Sequence, residues 1–117
     1  MPVQRAIAAY RTEGLNCAQS VLRAFQQERD IPEETVQAAR RFGGGRALEG
    51  RCGALHAACE LAGDDATRDR LRNEFAARAS SERCREIRKA NAFSCEQCIE
   101  LAAGLLDSAF AKVTTPR

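Results

Sequence analysis

A chain of 117 residues can bury one hydrophobic core and is too short for two, so it reads as a single domain over 1–117. Lys and Arg number 18 against 16 Asp and Glu, and a net charge of +2 gives neither nucleic acid nor an acidic membrane surface a field to bind. Aromatic residues are only 5% and tryptophan is absent, so Ala, Leu, Ile and Val must fill the core, as they do between closely packed helices.

The first expected helix lies near 3–13 and stops before Gly14. Its sequence, MPVQRAIAAYRTEG, has no apolar h-region and no small-residue cleavage site, and nowhere do eighteen apolar residues run together. A cytoplasmic location with no membrane partner is therefore expected. The second helix, near 16–29, opens with the capping-box spacing of Asn16 and Gln19 and continues with Val21, Leu22 and Phe25 at helical period. A third, near 32–42, has Pro32 at its first position with Asp30 or Ile31 just before it. The run FGGGR at 42–46 then breaks the chain without marking a domain boundary, and Gly43 falls where a helix C-terminal glycine is expected.

Further helices are expected near 52–63, ended by Gly63, near 66–79, with Leu71, Phe75 and Ala79 in one stripe, and near 82–90. A last one, near 94–111, starts at Ser94 with Gln97 and carries Ile99, Ala102, Ala103 and Leu106. No segment alternates well enough for a strand. The expected fold is all-α, a compact helical bundle of about five to seven helices. The arginine-rich stretches RDRLRNEFAAR and RCREIRK are interleaved with Asp69, Glu74, Glu82 and Glu86, so they read as a solvated face in preference to an anion site.

Six cysteines in a reducing compartment point to metal ligation or redox chemistry more than to a standing disulfide framework. Cys17, Cys52 and Cys95 stand at expected helix starts, where unpaired N–H groups and the positive dipole end favour thiolate, the form that attacks and ligates. The plainer reading, cysteine as a small hydrophobe in an alanine-rich core, weakens with three cysteines so placed.

In GRCGALHAAC at 50–59, Cys52, His56 and Cys59 lie at i, i+4 and i+7 on one helix face. At 1.5 Å per residue Cys52 and Cys59 are about 10 Å apart, too far for a disulfide and awkward for one metal ion. His56 could share a metal with either cysteine if other ligands came from elsewhere, though a lone histidine here reads first as a core or half-exposed side chain. Cys52, at the helix start, is expected to have a lower pKa than mid-helix Cys59.

SCEQC at 94–98 is a Cys-x-x-Cys at a helix start, able to form a disulfide or clamp a metal. A thioredoxin-type site would need a βαβ setting that this chain lacks. A helical peroxide- or disulfide-reducing enzyme stays open, although CIELAAG supplies no histidine after the second cysteine.

Taken together, NCAQSVLRAF at 16–25, FGGGRALEGRCGAL at 42–55, CREI at 84–87 and CIELAAGLL at 98–106 resemble the C-GCAxxG-C-C family, described as "putative redox-active proteins" with four characteristic cysteines. The resemblance runs from about residue 6 to residue 110. It implies that Cys17, Cys52, Cys84 and Cys98 are the redox thiols or metal ligands, accompanied by Gly43, Gly44, Gly45 and Gly53 as glycines of a cofactor or close-approach loop. Ala57 stands where the family has a glycine. The segment between Cys84 and Cys98 is shorter than the family's, which leaves Cys95 and Cys98 both open as the fourth position. Cys59 and Cys95 are additions to the family set and secondary candidates.

The expectation is a cytoplasmic redox-active protein whose helix ends bring Cys17, Cys52, Cys84 and Cys98 to one site. That site would work by dithiol–disulfide exchange or hold zinc, iron or an iron–sulfur cluster, with His56 at most a weak extra ligand. A structural zinc module with four cysteine ligands and a thiol-dependent reductase or peroxidase are the alternatives. An external redox partner is implied, and an alanine-rich helical surface suits a homodimer.

Overall fold

A computed structural model describes residues 2–43, 46–90 and 93–114, those at 48 and 111–114 by backbone alone. These residues form seven α-helices: α1 (Pro2–Thr12), α2 (Cys17–Ala24), α3 (Glu33–Ala38), α4 (Gly53–Ala62), α5 (Asp65–Ala79), α6 (Cys84–Lys89) and α7 (Cys95–Thr114). Single 3-10 turns occupy Ala39–Phe42 and Leu48–Gly50. The fold is all-α, and the only extended pairing among the described residues is one antiparallel bridge between Arg51 and Arg83.

The sequence of α4, GALHAACELA, is apolar nearly all round, and a helix with that pattern must lie inside. It buries Gly53, Ala54, Leu55, Ala57, Ala58 and Cys59. Its small side chains let α2, α5 and α7 all pack against it. Around it, α5 contributes the narrow stripe Leu71, Phe75 and Ala79, and α7 contributes Cys98, Ile99, Ala102, Ala103 and Leu106. Each fully buried Leu, Ile or Phe in this set stabilises the fold by about 1.5–3 kcal/mol relative to an exposed one. α1 packs on both α2 and α7, burying Ala6 and Ala9. None of these helices, among the described residues, is long and apolar enough to cross a membrane.

Both expected capping boxes form. The Asn16 side chain accepts from the Gln19 N–H while Gln19 accepts from the Asn16 N–H, and Ser94 and Gln97 do the same at α7. Gly14 and Gly63 take the left-handed φ values expected after a helix, +69° and +90°.

Three local expectations change. The second helix ends at Ala24 and not near 29: residues 25–30 turn, Ile31 N–H donates to the Gln26 carbonyl at 3.0 Å, and Asp30 adopts φ +51° ahead of Pro32. Pro32 sits one place earlier than expected, as the N-cap of α3 with ψ 145°. Gly43 has φ −80°, so it is no left-handed helix end. Its hydrogen serves proximity instead, because a Cβ there would lie 2.8 Å from Asn16 Nδ2.

Candidate functional site

Four helix starts meet at one end of the bundle, and each brings sulfur. Cys17, Cys84 and Cys95 are the first residues of α2, α6 and α7, Cys52 is the N-cap of α4, and Cys98 completes the first turn of α7. All five line one cavity of about 20 Å³, together with Ile87, Arg88 and Phe93. Cys17, Cys52 and Cys98 form its buried floor, at 8%, 4% and 4% exposure, while Cys84 and Cys95 are half-buried.

Three local devices make this convergence. The antiparallel Arg51–Arg83 bridge, with Cys52 N–H donating to the Glu82 carbonyl at 2.7 Å, ties the approach to α4 to the approach to α6 one residue before each cysteine. Gly53 lets α4 press on α2: a Cβ at this position would stand 2.6 Å from Cys17 Sγ and 2.8 Å from the Phe42 carbonyl oxygen. At α7, Arg11 of α1 grips Glu96 through two hydrogen bonds of 2.7 and 2.6 Å, beside Cys95.

The sulfurs interact. Cys17 beside it favours the Cys52 thiolate, but the neighbouring Cys98 and burial favour the thiol and push it up to about 12. The Leu55 N–H does favour the thiolate, as a helix start should, and is outweighed. The expectation that the helix start depresses Cys52 below mid-helix Cys59 is not met: both thiols are raised, Cys59 by burial and Cys52 by Cys98 and burial. Burial also pushes the Cys84 thiol up, against the opposing charge of Arg88.

Two further side chains lie near Cys95. Arg88 Nη2 donates to Cys95 Sγ at 3.3 Å. Tyr10 of α1 senses the same thiol: its pKa is raised first by burial and then by negative charge on Cys95 and Cys17. Arg88 lies four residues after Cys84 on α6, which is a helical spacing; Tyr10 carries no comparable signal.

Other candidates lie elsewhere. His56 lies outside the sulfur-lined cavity and packs on the Phe42 ring with centroids 4.6 Å apart; its Nδ1 finds no hydrogen-bond partner among the described residues, and burial lowers its pKa. Cys59 is buried beside Arg51, Arg72, Arg68 and Glu82, outside the cavity. Gly44 and Gly45 fall outside the described residues. Three arginines of the arginine-rich stretches pair with carboxylates, Arg68 with Asp65, Arg72 with Glu82 and Arg83 with Glu86.

The family profile described as "Putative redox-active protein (C_GCAxxG_C_C)" matches residues 15–109. The chain belongs to the C-GCAxxG-C-C family. No curated protein and no solved structure matches it. The C-GCAxxG-C-C match spans every helix that brings a cysteine to the cavity, and Ala57, in place of the motif's second glycine, is buried at 2% exposure without keeping α2 and α4 apart.

Proposed function

We propose that the protein is a cytoplasmic thiol redox protein whose working centre is the five-thiol cluster, cycling between dithiol and disulfide. The observation that carries this reading is that Cys17, Cys52, Cys84, Cys95 and Cys98, brought by four helix starts, line one small cavity. Thiols gathered there are placed to exchange disulfide bonds with one another. In one turnover two cluster thiols lose two electrons and two protons to form an S–S bond, and an external disulfide gains them to become two thiols. The reverse direction returns the dithiol. A reducing cytoplasm suits a chain in which none of the cysteines is joined in a disulfide.

An all-sulfur donor set has the softness that zinc and iron–sulfur centres take. As placed, however, no three ligand-type side chains among the described residues are arranged to hold one ion, and a space of about 20 Å³ holds about one water. The residues as they stand fit dithiol exchange better than a resident metal.

Titration of anaerobically purified protein in dithiothreitol buffers, with alkylation and peptide mapping at each potential, tests the reading. The expected result is loss of two thiols per chain, with the disulfide confined to Cys17, Cys52, Cys84, Cys95 and Cys98 and with Cys59 still free. Stoichiometric zinc or iron with no thiol oxidised, or oxidation spread evenly over all six cysteines, would overturn it.

A further inference from the structure

Cys95 and Cys98 share the first turn of α7 but not the same surroundings. Cys98 is buried on the cavity wall. Cys95 sits half-buried on the same cavity, where the Arg88 guanidinium of α6 donates to its sulfur at 3.3 Å. The Ser94–Gln97 box and the Arg11–Glu96 pair fix the turn that presents it. Among the described residues no such cation is hydrogen-bonded to Cys52 or Cys84, and burial pushes the Cys84 thiol up, as do Cys98 and burial at Cys52. Arg88, in turn, is held more firmly protonated, first by its hydrogen bond to Cys95. The Cys95 sulfur thus faces a hydrogen-bonded guanidinium at the one Cys-x-x-Cys pair on a helix start.

On the thiol-redox reading above, we propose that Cys95 is the attacking thiol and Cys98 the resolving thiol in exchange with an external disulfide. The Cys95 thiolate attacks one sulfur of R–S–S–R; a Cys95–S–S–R bond forms, the external S–S bond breaks, and RS⁻ leaves and takes up the Cys95 proton. Cys98 then gives up its proton and attacks Cys95 Sγ. The Cys95–Cys98 disulfide forms, and the second RS⁻ leaves and takes up that proton. The balance is two cysteine thiols oxidised and one external disulfide reduced to two thiols. Arg88 is a positioning residue, holding the attacking sulfur and balancing its charge.

The test uses the reduced full chain and bis(2-hydroxyethyl) disulfide near neutral pH, with acid quenching and peptide mapping. Wild-type protein should form Cys95–Cys98. Cys98→Ser and Cys98→Ala should each accumulate a mixed disulfide between the probe and Cys95, and wild-type samples quenched early should show the same adduct without any substitution. Cys95→Ser and Cys95→Ala should slow thiol loss by at least about ten-fold while melting like wild type, because the removed sulfur is half-exposed. Arg88→Met should slow it several-fold and Arg88→Lys should restore most of the rate. An adduct on Cys84 in place of Cys95, or natively folded Cys95 variants that oxidise at the wild-type rate, overturns the assignment while leaving the thiol-redox reading standing. If wild-type protein forms no disulfide within the cluster at all, both fall together.

Discussion

Cys52 and Cys59 stand seven residues apart on the same stretch of chain, both buried, yet they belong to different regions of the molecule. At Cys52 four helix starts converge and sulfur meets sulfur. Around Cys59 the neighbours are charged: the buried Arg51 and Arg72 both bond Glu82, at 3.2 and 3.0 Å, and this network covers the thiol without offering it a second sulfur. Burial raises both thiols, so burial alone does not distinguish them. What differs is access to an exchange partner. Helix ends can gather residues from distant parts of a chain at one point, whereas a mid-helix position meets only what packs against its face.

The largest effect should come from filling the contact that brings two of those ends together. Gly53→Ala places a methyl 2.6 Å from Cys17 Sγ and 2.8 Å from a backbone carbonyl that cannot step aside. A loss of about 3 kcal/mol is expected from such overpacking, with weakened Cys17–Cys52 contact and impaired cluster oxidation. Gly104→Ala is the control, because its Cβ would meet Val3 at an ordinary 3.7 Å inside α7, where alanine gains up to about 1 kcal/mol over glycine. Thermal melts should separate the two variants widely. Equal melting would show that α2 and α4 do not depend on this close approach.

Helices were largely legible because their signals are local. Asn16 with Gln19, Ser94 with Gln97, and Gly14 and Gly63 each mark an end within a few residues. The early end of α2 was hidden because Asp30, not a glycine, takes the positive φ. The start at Cys84 was blurred for a related reason: Arg83 caps α6 with no side-chain hydrogen bond, so nothing in Glu82-Arg83-Cys84 marks the boundary. The family resemblance marks the four cysteine positions, and the expectation that helix ends bring them to one site followed from it; the contacts that join them, the Arg51–Arg83 bridge and Gly53 against Cys17, link residues far apart in sequence and carry no local signal. Cys95 looked like an addition to the family set, yet it lines the cavity beside Cys98; Tyr10 and Arg88 reach it from α1 and α6, and only the folded chain brings them there.

Alkaline pH should sharpen the contrast between the two thiols by a smaller amount. The Cys52 thiol moves from an ordinary 9.0 up to about 12 in the folded chain, so folding favours its protonated form. The sign follows: the stability linked to Cys52 is fully present below about pH 9 and is lost as pH rises toward about 12. Melts in reductant at pH 8 and pH 10 should show wild type losing more than Cys52→Ala over that interval. Identical losses would mean that the Cys52 proton is not held by the fold. The same burial makes Cys52 slow toward limiting iodoacetamide near neutral pH, with the half-buried Cys95 labelled ahead of it.

The smallest effect belongs to Cys59→Ala. Removing one buried sulfur leaves a small void beneath the Arg51–Glu82–Arg72 network, and a cost of about 1 kcal/mol is expected, in the lower range of large-to-small changes. The electron count of the redox titration and the disulfides found by mapping should stay as in wild type, because Cys59 lies outside the cavity where the other five thiols meet. A second readout comes from wild type itself. Seven residues of helical chain hold Cys52 and Cys59 about 10 Å apart, beyond disulfide reach, so oxidation of native protein should not join them. A Cys59→Ala variant that no longer takes up its electrons, or a Cys52–Cys59 disulfide mapped in folded wild-type protein, would erase the distinction between the helix-start cluster and the helix flank.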